Sequence, residues 1–470
     1  MDVPTCPGCR QRDESLAELQ RQLDELRQQV RELQQRLGIN ASNSSLPPSA
    51  NPPQAPKPVA KKRTGRRPGG QPGHPPRLRQ LLPPERVTCT HDFRPQRCHA
   101  CDAALPADPS PADPEPLRFQ VIDLPDVAAT VTEYRGHARA CPGCGAVTRA
   151  AIPAAVRAHA VGPRLTAVLS YLTGCHGLSR RAAEEVAEAV FAAPIALGTV
   201  SNLEAEVSAA LAPAHAAALT AVRAAAVKHA DETSWKRAGR LCWLWAGATA
   251  TVAAFVVHAR RGLAGLAALL GEQIGGVLCS DRWSAYDRVP AERRQVCWAH
   301  LKRDFRRVAD GGGPGAHVGR VGLRVARELF RRWHLFRGGG LTRQELQAAL
   351  LPLELRLNRA LLWGAILGAD TKVARLCENV LALEPALWTF ARAAGVAPTN
   401  NHAERLLRRA VLWRKRSFGS HSEAGCRFVE RVLTVVQTLR LQGRPVLAYL
   451  TQALTAHRAA LPTPLLLPNG

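Results

Sequence analysis

The chain has 470 residues, 63 Lys plus Arg against 38 Asp plus Glu, a formal net charge of +25 and 46% apolar residues. That apolar share excludes a wholly disordered chain, and at roughly 100 to 200 residues per domain the length allows about three or four units. The charge predicts a polyanionic partner, nucleic acid ahead of an anionic membrane surface, because summed positive potential concentrates phosphate-bearing ligands. Only eight of the 63 basic residues are Lys, so an Arg-favouring codon bias competes as the source of the excess.

The opening MDVPTCPGCRQRDE lacks the apolar core of a secretory signal, so the expected location is cytoplasmic, with the nucleoid. Thirteen cysteines in such a chain, several in CxxC pairs, read as metal ligands rather than disulfides. Leu241 to Ala259 is long enough to span a membrane, yet its centre is Gly-Ala-Thr-Ala-Thr-Val with arginines at both flanks. A turn between two buried strands suits that composition better, and no membrane partner is expected.

Taken in order, residues 1–40 carry Leu16, Leu19, Leu23, Leu26, Val30, Leu33 and Leu37 in steps of three and four. This is a heptad seam of about three repeats, which predicts a coiled coil and a homo-oligomer. One amphipathic helix docking on its own chain is the alternative. Residues 41–85 are a Pro/Gly-rich linker with Lys61, Lys62, Arg63, Arg66 and Arg67 around an RRPGG core, either a minor-groove arm or a solvated basic tail. Within 86–155, Cys98-His-Ala-Cys101 and Cys141-Pro-Gly-Cys144 have the spacing of two knuckles that complete a structural Zn²⁺ site, a zinc-finger domain. Cys6-Pro-Gly-Cys9 has no evident second pair, and Cys89 reads as a bystander. Residues 156–215 pattern as three short helices, with Ser179 and Thr199 as N-caps and Arg180 and Arg181 toward DNA. A helix-turn-helix-like DNA-binding domain and a plain connector bundle both fit.

From 216 to 309 the text reads as three strands, a helix, a fourth strand and a fifth at RRQVCWAHLKRDF, a mixed α/β sheet. Asp231 is expected to end the first strand and Asp281 the fourth. Two carboxylates at neighbouring strand ends repel unless cations lie between them, as two-metal phosphoryl transfer requires. Residues 310–397 pattern as a helical insertion, carrying contacts or serving as a spacer, and 398–455 return to the core before a tail at 456–470. Glu404, early in a helix with Asn400 or Asn401 as N-cap, offers a third carboxylate. Beside it Arg405, Arg408, Arg409, Arg414, Lys415 and Arg416 suit a phosphate-binding face. Arg282, Trp283 and His300 are accessory candidates, since guanidinium and imidazole donate to phosphate and indole stacks on bases. Core packing of Trp283 and Trp298, and strand-end capping by His300, compete with that role. Glu232, Asp287 and Asp304 read as solvated or locally paired.

With 38 acidic residues present, any three could be chosen on residue type alone. The words around these acids narrow the choice: DETSWK, LCSDRWSAYD, QVCWAHLKRDF and PTNNHAERLLRRAVLWRKRSFGSHSEAGCRFVERVLTVVQTL resemble the insertion sequence 66 family of bacterial transposases. The resemblance extends to NSSLPPS, GRRPGGQPGH and the paired CxxC segment, and so spans nearly the whole chain. It implies a DDE transposase with an RNase H-like core, in which Asp231, Asp281 and Glu404 match the catalytic acids and hold two Mg²⁺ or Mn²⁺ ions. The implied partners are double-stranded DNA, both element ends and target, and accessory element proteins. The implied activity is cleavage and joining of element ends. A non-catalytic zinc-containing DNA-binding protein, a decayed element protein and a nuclease without strand transfer are the rival readings.

Overall fold

Residues 227–258 supply three of the five strands of the main sheet, and most of their apolar side chains are buried. The computed structural model describes residues 79–108, 110–367 and 372–467, with Leu16, residues 18–26 and Gln29 of the N-terminal segment. They form a mixed α/β protein of two compact units, residues 56–128 and residues 129–470 with 1–55. The segment expected as a zinc finger, 86–155, is divided between them.

In the larger unit a short hairpin, β1 (Ala138–Ala140) and β2 (Val147–Arg149), stands apart from the main sheet. The main sheet begins with an antiparallel meander of β3 (Val227–Arg237), β4 (Arg240–Ala248) and β5 (Ala253–His258). Two short strands, β6 (Val277–Ser280) and β7 (Arg294–Val296), then add parallel to β3, giving the order β5-β4-β3-β6-β7. The β3–β4 turn is Ala238-Gly239, both with positive φ (48° and 76°), the conformation a two-residue hairpin demands. The apolar stretch from Leu241 is the expected hairpin, closed by Thr249 N–H donating to Val252 O at 2.8 Å. No single helix among the described residues is long and apolar enough to cross a membrane.

Two expectations about strands fail locally. Asp231 lies within β3, not at its end, because β3 runs on to Arg237 against β4. The fifth strand keeps only Arg294–Val296. From Trp298 the chain is helical to Asp310, since Trp298, Leu301, Phe305 and Val308 recur at three- and four-residue steps and are buried as one stripe.

Helices α1 (Pro163–His176), α2 (Arg180–Phe191), α3 (Leu197–Ala210) and α4 (Ala212–Ala224) precede the sheet. Ser179 caps α2, its hydroxyl accepting from Ala182 N at 3.1 Å. Thr199 does not cap α3: the N-cap is Ala196, and Thr199 is already inside the first turn. Ala167, Cys175 and Val207 share a core with Trp245 and Leu269, so α1 and α3 are built into the sheet's own packing. Helix α5 (Leu263–Leu270) connects β5 to β6, and α6 is Trp298–Asp310. The insertion follows as α7 (Ala316–Arg337), α8 (Arg343–Leu367) and α9 (Lys372–Ala382), packed against Cys279, Val296 and Trp298 at the β6–β7 edge. The chain then returns as α10 (Asn401–Ser417), α11 (Glu423–Leu441) and α12 (Val446–Arg458). Leu406, Leu407 and Ala410 of α10 pack with Trp235 and Leu244, which lays this helix across one face of the sheet.

In the N-terminal segment Leu16, Leu19, Leu23 and Leu26 are helical and exposed. Val30, Leu33 and Leu37, the linker residues Lys61, Lys62, Arg63, Arg66 and Arg67, and Cys6 and Cys9 lie outside the described residues.

Candidate active site

Strand register decides which side chains meet. β3 pairs Val227 with Val277 and His229 with Cys279, so two residues further on Asp231 stands level with Asp281. β6 pairs Ser280 with Val296, and one step beyond places Asp281 level with Cys297. Asp231, Asp281 and Cys297 thus share one level just past the carboxyl ends of β6 and β7, where ligands bind in open α/β sheets, while β3 runs on beyond it.

Side chains alternate along β3. His229, Asp231, Thr233 and Trp235 share the face covered by α10, as the contacts of Asn400 with His229, of Arg414 with Thr233 and of Trp413 with Trp235 establish. Glu404, in the first turn of α10, therefore belongs to the face that carries Asp231. Asn400 takes the N-cap position without side-chain capping. Its amide instead donates to Ala230 O at 2.7 Å, its Oδ1 lies 3.0 Å from His229 Nδ1, and its N–H donates to Cys297 Sγ at 3.1 Å. His402 Nε2 lies 2.7 Å from Thr249 O. Asn400 thereby ties α10 to β3 and to the end of β7. Its role was invisible in the sequence, because the side chain reads there as an ordinary cap; His229 and Cys297 carried no signal beyond residue type.

Burial, first, and then repulsion from Glu232, Asp281 and Glu404 push the Asp231 carboxyl well above the usual carboxylate range. Glu232 is also pushed up by burial and by Asp281, but it is compensated: Tyr286 donates to it at 2.6 Å and Arg261 at 2.9 Å. His300 Nδ1 lies 3.5 Å from Glu404 Oε1, with Arg303 at 3.9 Å, and burial holds its imidazole below the usual range. Those two atoms, His300 Nδ1 and Glu404 Oε1, are buried without a hydrogen-bond partner.

The accessory candidates divide. Arg282 is committed within the protein, to Asp304 at 2.5 Å and to Asn379 of the insertion. Trp283 is not core: it is 37% exposed, its backbone N–H donates to Asp281 Oδ1 at 2.9 Å, and the Arg261 guanidinium lies 4.0 Å over its ring. Trp298 is fully buried. Asp304 and Asp287 are paired, with Arg282 and Arg294.

Of the basic set, Arg405, Arg408, Arg409, Lys415 and Arg416 are exposed on α10. Arg414 departs from that face: it turns inward and donates to Thr233 Oγ1 at 3.1 Å and to Ser234, fastening α10 to β3. Arg180 is paired with the buried Glu204 at 2.6 Å, while Arg181 is exposed.

Each CxxC turn closes in the same way. Cys98 N–H donates to Ala103 O and Asp102 N–H to Cys98 O, both at 2.9 Å; Cys141 N–H donates to Ala146 O and Gly145 N–H to Cys141 O, both at 2.8 Å. The fifth residue of each turn, Asp102 or Gly145, has positive φ. Main-chain amides of Ala100 and Cys101 lower the Cys98 thiol, and those of Gly143 and Cys144 lower Cys141. Such surroundings favour the thiolate form.

Residues 159–427 match the family described as Transposase IS66 family, more than half of the chain. Residues 7–80 match a family of unknown function, DUF6444. The sequence is 28% identical over 240 residues, 45% of this chain and 43% of the relative, to an uncharacterized protein, y4qI, of Sinorhizobium fredii (strain NBRC 101917 / NGR234). The chain therefore spans less than half the length of that curated relative.

Proposed function

The chain belongs to the IS66 family of transposases, and from that premise we propose that it cuts and joins DNA at element ends by metal-dependent phosphoryl transfer. Asp231, Asp281 and Glu404 are the proposed ligands of two Mg²⁺ ions. The observation that carries this reading is the strand register that sets Asp231 level with Asp281, on the sheet face covered by the helix that bears Glu404. Carboxyls crowded together in this way fit divalent cations. The strand order, an antiparallel meander followed by two parallel strands, supports an RNase H-like core.

Divalent ions held there would polarise water or a 3′-hydroxyl and stabilise the leaving oxygen. The chain's own residues supply the rest. Asn400 holds the Glu404 helix in register with β3, Arg405, Arg408 and Arg409 bind phosphates of double-stranded DNA, and Trp283, backed by Arg261, offers a stacking surface beside Asp281. Structural Zn²⁺ on the cysteine knuckles, DNA contact from Arg181, and self-association through the leucine seam complete the proposal, with accessory element proteins as further partners.

Purified protein mixed with labelled element ends should nick and join them in Mg²⁺ and not in EDTA. Cleavage that persists in EDTA, or that survives Glu404→Gln, would overturn the assignment.

A further inference from the structure

Cys297 immediately follows β7 at the level of Asp281, His300 lies in the first turn of α6, and Glu404 reaches the same point from α10. One donor atom from each, the Cys297 thiol, an imidazole nitrogen and a carboxylate oxygen, lies within 4.8 Å of the others. A tetrahedral ion with bonds of about 2.0 to 2.3 Å sets its ligand atoms roughly 3.3 to 3.8 Å apart, and His300 Nδ1 is 3.5 Å from Glu404 Oε1. Both of those atoms are buried with no hydrogen-bond partner, an arrangement that costs free energy unless something fills the gap.

The two hard-acid positions proposed above would use oxygen ligands alone. Here the donor set is one sulfur, one nitrogen and one oxygen, which Mg²⁺ does not select and Zn²⁺ does. Asn400 N–H already donates to the sulfur at 3.1 Å, and the amides of His300 and Ala299 also favour the thiolate against a burial that raises the thiol to about 11.

We propose that Cys297, His300 and Glu404 form a second, soft-metal site that takes Zn²⁺ or a similar borderline cation and, by capturing Glu404, switches off Mg²⁺-dependent cleavage. The inhibitory half rests on the catalytic reading of Glu404; the binding half does not. Binding replaces the S–H bond of Cys297 by an S–metal bond and releases that proton to solvent. The imidazole supplies a nitrogen lone pair.

The experiment titrates Zn²⁺ by calorimetry, without DNA, into the full chain dialysed against a weak chelator that leaves tightly held zinc in place. One additional Zn²⁺ should bind with proton release. Cys297→Ser, which retains a small polar side chain at the helix start, and His300→Ala, on a partly exposed side chain, should each weaken it by about tenfold or more. In the cleavage assay the Zn²⁺ concentration that halves the Mg²⁺-dependent rate should rise by a similar factor in each variant. Equal zinc affinity in wild type and both variants, or inhibition unaltered by both, overturns the proposal. A chain that binds zinc at this site yet cleaves nothing in Mg²⁺ would sink the catalytic reading instead.

Discussion

Asp231 and Glu232 are adjacent carboxylates on one strand, and their surroundings are opposite. Glu232 faces the core side of the sheet, where Tyr286 and Arg261 both donate to it and where Ala230 packs with Trp245. Asp231 faces α10 and meets the charges of Asp281 and Glu404, and among the described residues it accepts the N–H of Glu232 at 3.0 Å. The comparison separates a carboxylate that the protein's own donors partner from one that they do not. A buried charge left uncompensated by the protein's own cations is where a missing ligand is to be sought. Sequence pattern does not make that distinction, since D and E stand side by side in DETSWK.

Substitution tests the contrast directly. Asp231→Asn should lower cleavage and joining about 10³-fold or more, because several kcal/mol of transition-state stabilisation depend on the ion it would hold. DNA retention in a gel-shift assay should stay close to wild type. Glu232→Gln should retain measurable cleavage but destabilise the protein by about 1 to 3 kcal/mol, as Arg261 and the Tyr286 hydroxyl lose a charged partner. In Mg²⁺-free buffer the sign reverses for Asp231→Asn, which should stabilise by roughly 0.5 to 2 kcal/mol, the exchange of stability for activity common at catalytic sites. Urea denaturation of both variants reads this, and two destabilised variants would break the comparison.

The same contrast has a pH signature. The folded-state Asp231 carboxyl is raised, so the native chain binds more protons than the unfolded one from about 3.9 upward. Its contribution is therefore fully present below that value and is lost as pH rises through the raised folded-state value. Metal-free wild type should show this loss relative to Asp231→Asn, and added Mg²⁺ should remove most of the difference by binding the native state.

Much of the architecture was legible because it rests on periodicity. The Leu241 hairpin, the helix at 263–270 and the helical insertion follow from strand and helix repeats that no distant contact overrides. The fifth strand was misread where apolar β-formers and a helical stripe overlap, in QVCWAHLKRDF, and the arbiter was burial of Trp298 and Phe305 against the insertion. Positions 231, 281 and 404 are picked out by expected strand ends and a helix start and narrowed by motif resemblance, whereas their shared setting depends on strand register and on Asn400, 170 residues from the Ala230 carbonyl it holds. A bond that long-range leaves no local trace.

The smallest predicted effect probes the basic face of α10. Arg408 is exposed, whereas Arg414, six residues along the same helix, is turned onto β3 and bonded to Thr233 and Ser234. If DNA phosphates lie along the exposed side, Arg408→Ala should weaken binding evenly across sequences and reduce the slope of log affinity against log salt by about one, the signature of one lost phosphate contact. Arg414→Ala should leave that slope unchanged and act instead through the fold, because it strips two β3 residues of a donor and loosens the helix that carries Glu404. Binding measured across a salt series, with thermal melting of both variants alongside, separates the two. A slope lowered by Arg414→Ala and untouched by Arg408→Ala would mean that DNA reaches this helix from the sheet side and not from its exposed face.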